Sequence, residues 1–255
     1  MTSFSVCVPG VLETDADEVL PLASVGKLLL LAEIAYATAA GELDPEEPID
    51  VRPDEYCGGS GLLTDLTPRR WTIHDLVLLT ASVSDNTATN ALIRRIGIPR
   101  INARAQELGL RETRLLDRIR EPRLPAHPPT FARGTARELA ALATRVAGEE
   151  PWARTMLGWL ATNTDRSMVA AAIPHDPEDR DVPDTEAHDA RPGTLWLANK
   201  TGTDSGTRAD VGVVISPATG RRICYAAVGR CSPGAEYELV RSLRAVGVLI
   251  ARACG

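Results

Sequence analysis

The chain has 255 residues, 44% of them apolar, enough to bury one substantial core or two small lobes that share a cleft. A formal net charge of -6 argues against a nucleic-acid or anionic-membrane surface. Five scattered cysteines (Cys7, Cys57, Cys224, Cys231, Cys254) lack C-x-x-C or Cys/His ligand spacing, so free thiols are expected, with no metal site and no cofactor.

The first twenty residues carry no basic n-region and no long apolar run, and acidic residues stand where a signal peptide is apolar, so a cytoplasmic location is the expectation. Residues 3–9 alternate and carry β-formers, which predicts a strand, with a second short one around 18–22. A Leu- and Ala-rich helix is expected over 24–40, stopped by Gly41. That puts Ser24 in its first turn and Lys27 three residues on, where an amine reaches a hydroxyl. Pro, Gly and Asp mark loops over 44–67, with Cys57-Gly58-Gly59-Ser60-Gly61 reading as a tight backbone approach.

Helical patterns follow over 73–81, 87–96, 100–108, 135–146 and 152–162. Between the third and fourth lies an irregular stretch, 115–133, with four prolines, and a loop that long is usually functional or disordered. Residues 174–193 are acidic and proline-rich and read as a mobile surface excursion. The period then changes: strands are expected over 194–199, 210–216 and 222–229, and an amphipathic helix over 236–253 closes the chain. Strands at both ends around a helical middle predict an α+β fold. It would be one domain, 1–255, with an antiparallel sheet lobe (about 1–45 and 190–255) and an inserted helical lobe (about 46–189). The histidines (His74, His127, His175, His188) read as surface polar residues.

Only two lysines occur, and each lies in a short motif: Ser24-Val25-Gly26-Lys27 and Lys200-Thr201-Gly202. Every other basic residue is arginine, whose charge is permanent, whereas burial can lower a lysine until it acts as a base. A third string, Ser84-Asp85-Asn86, taken alone reads as a helix N-cap. In this order the three strings resemble the signature set of class A β-lactamases and penicillin-recognising serine hydrolases. Residues 84–93, the stretch from Trp159-Leu160 to Ile173-Pro174, and Lys200-Thr201-Gly202-Thr203 with Gly206-Thr207 extend the similarity over most of the chain.

The resemblance implies a β-lactamase/transpeptidase-like fold and a serine hydrolase that opens a β-lactam or related cyclic amide through an acyl-Ser24 intermediate. Lys27 would be the base for Ser24, and Lys200 would disfavour protonation of Lys27. Ser84 would relay a proton, and Asn86 would bind a substrate amide. The N–H groups of Ser24 and Thr203 would form the oxyanion hole. Lys200, Thr201, Gly202 and Arg208 would face a substrate carboxylate. Glu121, before Pro122, is the deacylation base by similarity. The sequence departs from the family there: one residue is inserted before the glutamate, Pro125 replaces a water-holding asparagine, and no aspartate near Ala132 clamps the loop. Without a working Glu121 the same scaffold would be a D,D-peptidase, esterase or acyl-transfer enzyme, and without turnover a penicillin-binding sensor. The expected partner is a small molecule bearing a carboxylate, with no nucleic acid or membrane, and the chain is expected to be monomeric.

Overall fold

The computed structural model describes residues 2–183 and 193–255. In chain order the elements are β1 (Ser3–Val8), β2 (Leu12–Thr14), β3 (Leu20–Pro21), a 3-10 turn (Ala23–Gly26), α1 (Lys27–Ala39), β4 (Pro48–Asp50), β5 (Arg70–Thr72), α2 (Ile73–Ser82), α3 (Asn86–Ile96) and α4 (Ile98–Glu107). Then come β6 (Arg114–Leu115), β7 (Ala132–Gly134), α5 (Ala136–Val146), α6 (Pro151–Ala161), β8 (Trp196–Asp204), β9 (Thr207–Ile215), β10 (Arg222–Arg230) and α7 (Glu236–Cys254).

One five-stranded antiparallel sheet, in the order β2-β1-β10-β9-β8, joins the two ends of the chain. Side chains alternate across it because successive strand residues point to opposite faces. Val6, Val8, Leu197, Val214, Tyr225 and Ala227 pack with Leu243, Val246 and Ile250 of α7. Cys7, Ala198, Val211, Val213, Ala226 and Val228 face the larger core that holds α1 and α6. The result is the α+β architecture expected. Although it lies in the inserted stretch, α5 also packs on β1, β9 and β10.

The first nine residues of α1 are all buried, which is why its apolar residues show no stripe: the helix runs through the middle of the core. Its one acid, Glu33, is 1% exposed and pairs with Arg100 and Arg104, so the charge is compensated where water cannot reach it. Gly41, at φ +71, lets the chain leave the helix. Thr72, Asp85 and Thr135 cap α2, α3 and α5 by accepting from Asp75, Ala88 and Glu138 N–H groups.

The structure departs from the sequence reading in detail. The helix expected from residue 24 begins as a 3-10 turn, with α geometry from Lys27. The strand expected over 194–199 runs on to Asp204, taking the Lys-Thr-Gly motif into the sheet edge. The short strand expected around 18–22 is β3, whereas β2, β4, β5, β6 and β7 are too short for a two-residue period to stand out from loop. Of the excursion expected over 174–193, residues 184–192, His188 among them, lie outside the described residues. Among the described residues, no helix is long and apolar enough to cross a membrane.

As the edge strand, β8 lies against the 3-10 turn that carries Ser24. That approach requires Gly202: a Cβ there would meet the Leu22 carbonyl oxygen at 2.8 Å and the Val25 nitrogen at 2.9 Å, both backbone. Gly202→Ala is therefore expected to destabilise the fold by about 1–3 kcal/mol, read as a lowered denaturation midpoint. An unchanged midpoint would mean the strand can withdraw freely.

Candidate active site

Ser24 is half-buried and follows Ala23, held at φ +46, a left-handed conformation that costs a non-glycine residue energy. Ser84 also lies in that region, at φ +56. Its position between α2 and α3 is fixed by the neighbouring Asp85, fully buried, whose carboxylate accepts from the N–H groups of Leu62, Leu63 and Ala88 at 2.6, 2.9 and 2.8 Å. Gly61, at φ +109, has no room for a side chain because a Cβ would lie 2.3 Å from that carboxyl group. The glycine-rich segment is thus the tight approach expected of it.

The two lysines are fully buried and meet at one hydroxyl. Lys27 Nζ donates to Ser84 Oγ at 3.0 Å, to the Ser84 carbonyl at 2.5 Å and to Asn86 Oδ1 at 2.9 Å. Lys200 Nζ donates to the same Ser84 Oγ at 3.0 Å and to the Thr201 carbonyl at 2.8 Å. All three of Lys27's hydrogen bonds go to Ser84 and Asn86, and Ser24 is not among its partners. Burial, and then the charge of Lys200, push Lys27 well below the ordinary lysine range. Burial lowers Lys200 to about 8, against the pull of Asp165 and Asp210. Lys27 can therefore hold the neutral form while Lys200 stays charged near neutrality.

A cleft opens over these groups in two parts. Ser24, Ser84, Asn163, Asp165, Thr201 and Thr203 line an inner cavity of about 200 Å3. Ser24, Asn86, Glu121 and Thr203 contribute to an outer one of about 320 Å3. One amide hydrogen of Asn86 is already given to the Gly58 carbonyl, at 2.6 Å, which leaves the other for a ligand. Arg208 lines neither part: its guanidinium donates at 2.7 Å to the Asp204 and Thr207 carbonyls.

The loop carrying Glu121 is fixed by contacts that sequence reading missed. Asp117, 8% exposed, accepts from Arg120 at 2.7 and 3.1 Å and from Arg123 at 2.9 Å. Burial raises the Asp117 carboxyl, but these arginines and the Arg118 N–H hold it below its usual range. The clamp that seemed to lack an aspartate near Ala132 thus exists with its aspartate at the loop's start. Asn90, one turn beyond Asn86, bonds both backbone groups of Ile119, at 2.8 and 3.0 Å. The spacing of those two asparagines on α3 was the available signal. Glu121 itself is exposed at the cleft wall.

Beneath Lys200, a polar network joins Asp210 to Asn199, Tyr225 and the Val169 N–H, and Asn199 to Asn163 and Arg166. Burial raises the Asp210 carboxyl to about 6. Asn199, Asp210 and Tyr225 sit on the strands expected from the sequence, and Asn163, Arg166 and Val169 on the segment after α6. Among the described residues, no group of three or more His, Cys, Asp or Glu side chains is placed to hold a metal ion, and all five cysteines are free.

A profile for the beta-lactamase enzyme family matches residues 9–252. A beta-lactamase of Streptomyces fradiae is 29% identical over 245 residues, 92% of this chain and 74% of that protein. The beta-lactamase regulatory protein BlaB of Streptomyces cacaoi is 33% identical over 109 residues, 42% of this chain, and the match spans only 35% of its own length. Among solved structures, the beta-lactamase of Sphaerobacter thermophilus superposes with a TM-score of 0.82 at 24% identity, covering 100% of this chain and 91% of that one. A PBP-A mutant solved as an acyl-enzyme with penicillin G gives a TM-score of 0.79 at 23% identity, covering 99% and 89%. With a family match that spans nearly the whole chain and a fold to go with it, the chain belongs to the beta-lactamase family.

Proposed function

We propose that the chain is a serine acyl hydrolase that opens a β-lactam or related cyclic amide through an acyl-Ser24 intermediate. The observation that carries this reading is the convergence of two buried lysines on Ser84 Oγ, each at 3.0 Å, beside a cleft that also exposes Ser24. A buried amine kept neutral by a second cation is a base, and a hydroxyl between two amines is a proton relay.

Neutral Lys27 has two N–H groups and one lone pair, so one of its three present contacts is released when it loses its proton. The lone pair then takes the proton of Ser24 as Ser24 Oγ attacks the substrate carbonyl. The developing oxyanion is received by the N–H groups of Ser24 and Thr203. As the C–N bond breaks, Ser84 Oγ gives its proton to the leaving nitrogen and is reprotonated by Lys27. Hydrolysis of the ester requires a water activated by Glu121, whose place in the cleft wall supports that role. A carboxylate on such a substrate would seek Lys200 and Thr201, and Asp165 already stands in the wall beside Thr201 and within the field of Lys200.

A second reading, a D,D-peptidase, esterase or penicillin-binding protein with slow deacylation, is favoured by one observation: Glu121 is exposed, on a loop with Pro125 where the family has asparagine. Three measurements decide between these readings. Incubation with benzylpenicillin should add one acyl group to Ser24 by mass spectrometry and none in Ser24→Ala, and an adduct that survives in Ser24→Ala removes the proposal. Glu121→Gln should slow deacylation about 10²- to 10⁴-fold and trap the acyl-enzyme, whereas the second reading has ester turnover unaffected. Lys200 keeps a cation beside the Ser84 relay only below about pH 8, so if that charge serves the reaction the acylation rate should fall as pH rises through about 8, and a flat rate from pH 7 to 9 excludes that role.

A further inference from the structure

The inner cavity has a composition that the motifs do not foreshadow. Of the eleven residues lining it, Asp165 is the only charged one. Lys200 is fully buried behind the wall, and no arginine reaches this lining among the described residues. Arg166, next in sequence, turns away to bond Asn199 Oδ1 at 2.6 Å and the Ala161 carbonyl at 3.0 Å. Arg208, the planar fork expected to grip a carboxylate, is held by backbone carbonyls outside the cleft.

Asp165 is also built in. Its Oδ1 accepts from the Ser167 N–H at 3.0 Å, and it shares the cavity wall with Thr201. Burial raises this carboxyl, but its hydrogen bonds and Lys200 keep it below its usual range, so it is an anion at neutral pH. A hydroxyl at Thr201 and a cation at Lys200 are the partners a substrate carboxylate would need, and a protein carboxylate already stands in the wall beside that hydroxyl and within the field of that cation. A second anion brought into the same cavity would meet like-charge repulsion from Asp165.

We infer that Asp165 fills the anion position of this cleft, making it a specificity-determining residue that selects acyl donors with no negative charge beside the scissile bond: uncharged cyclic amides or esters in place of carboxylate-bearing ones. This rests on the acyl-Ser24 reading for the reaction, but the selection is a matter of binding and can be measured without chemistry.

The test uses Ser24→Ala protein, which cannot acylate, with benzylpenicillin and its methyl ester as a matched pair that differs by one charge. The ester is expected to bind at least tenfold more tightly than the acid at low salt, and the ratio is expected to shrink as sodium chloride is raised from 0.05 to 0.5 M, because screening weakens repulsion. Adding Asp165→Asn should strengthen the acid at least tenfold and change the ester less than twofold, and Asp165→Glu should restore the discrimination. Tighter binding of the acid while Asp165 is present, an acid/ester ratio that Asp165→Asn leaves unchanged, or no binding of either compound would overturn the inference. The salt dependence needs no Asp165 variant, so misfolding of Asp165→Asn does not shelter it. Absence of an acyl adduct on wild-type Ser24 is a separate result that strikes the reaction and leaves the binding comparison standing.

Discussion

The site depends on repulsion between two ammonium groups that share one hydroxyl. Lys27 and Lys200 each reach Ser84 Oγ, and neither has access to bulk water. Two full positive charges that close in a poorly solvated interior cost more than one, so the first proton to leave comes off the more perturbed amine. That amine is Lys27, which feels burial and its neighbour's charge together, while Asp165 and Asp210 support Lys200. The neutral amine is thus made by geometry, and what the fold must do is hold three remote segments at hydrogen-bond distance.

Several unfavourable local conformations are what that holding requires. Ala23 and Ser84 both adopt positive φ, and Gly61 and Gly202 admit backbone contacts that any side chain would block. Asp85 ties the Ser84 turn to the Leu62 and Leu63 N–H groups, and the network around Asp210 fixes the strand beneath Lys200. Strain of this kind persists only where the surroundings over-determine it, and these surroundings are hydrogen-bonded and buried.

Much of this was legible in the sequence because it is carried by local signals. The helices from 73 to 161 announce themselves by caps and period, and two lysines among many arginines point directly at the chemistry. The carboxylates were not legible. Asp117, Asp165 and Asp210 look alike in a string of residues, yet one clamps a loop, one lines the cleft and one is buried under Lys200. The partners of Asp210 lie 11 to 41 residues away, on strands and loops whose pairing no short window contains, and nothing in the string marks Asp117 as the shared acceptor of Arg120 and Arg123. Arg208 differs again: its side chain lines neither part of the cleft, and its Nη1 is given to two backbone carbonyls.

The sheet draws its strands from the two extremes of the chain, with β1 paired to β10. A ribosome delivers Ser24 and Lys27 long before β8 and β10 exist. Until those strands arrive, Lys27 has neither its low-dielectric surroundings nor Lys200 beside it, and in water its amine keeps the proton that makes it useless as a base. The growing polypeptide therefore carries Lys27 in its charged form, and the neutral amine that the proposed acylation needs becomes available only when the last strands of the sheet close the structure.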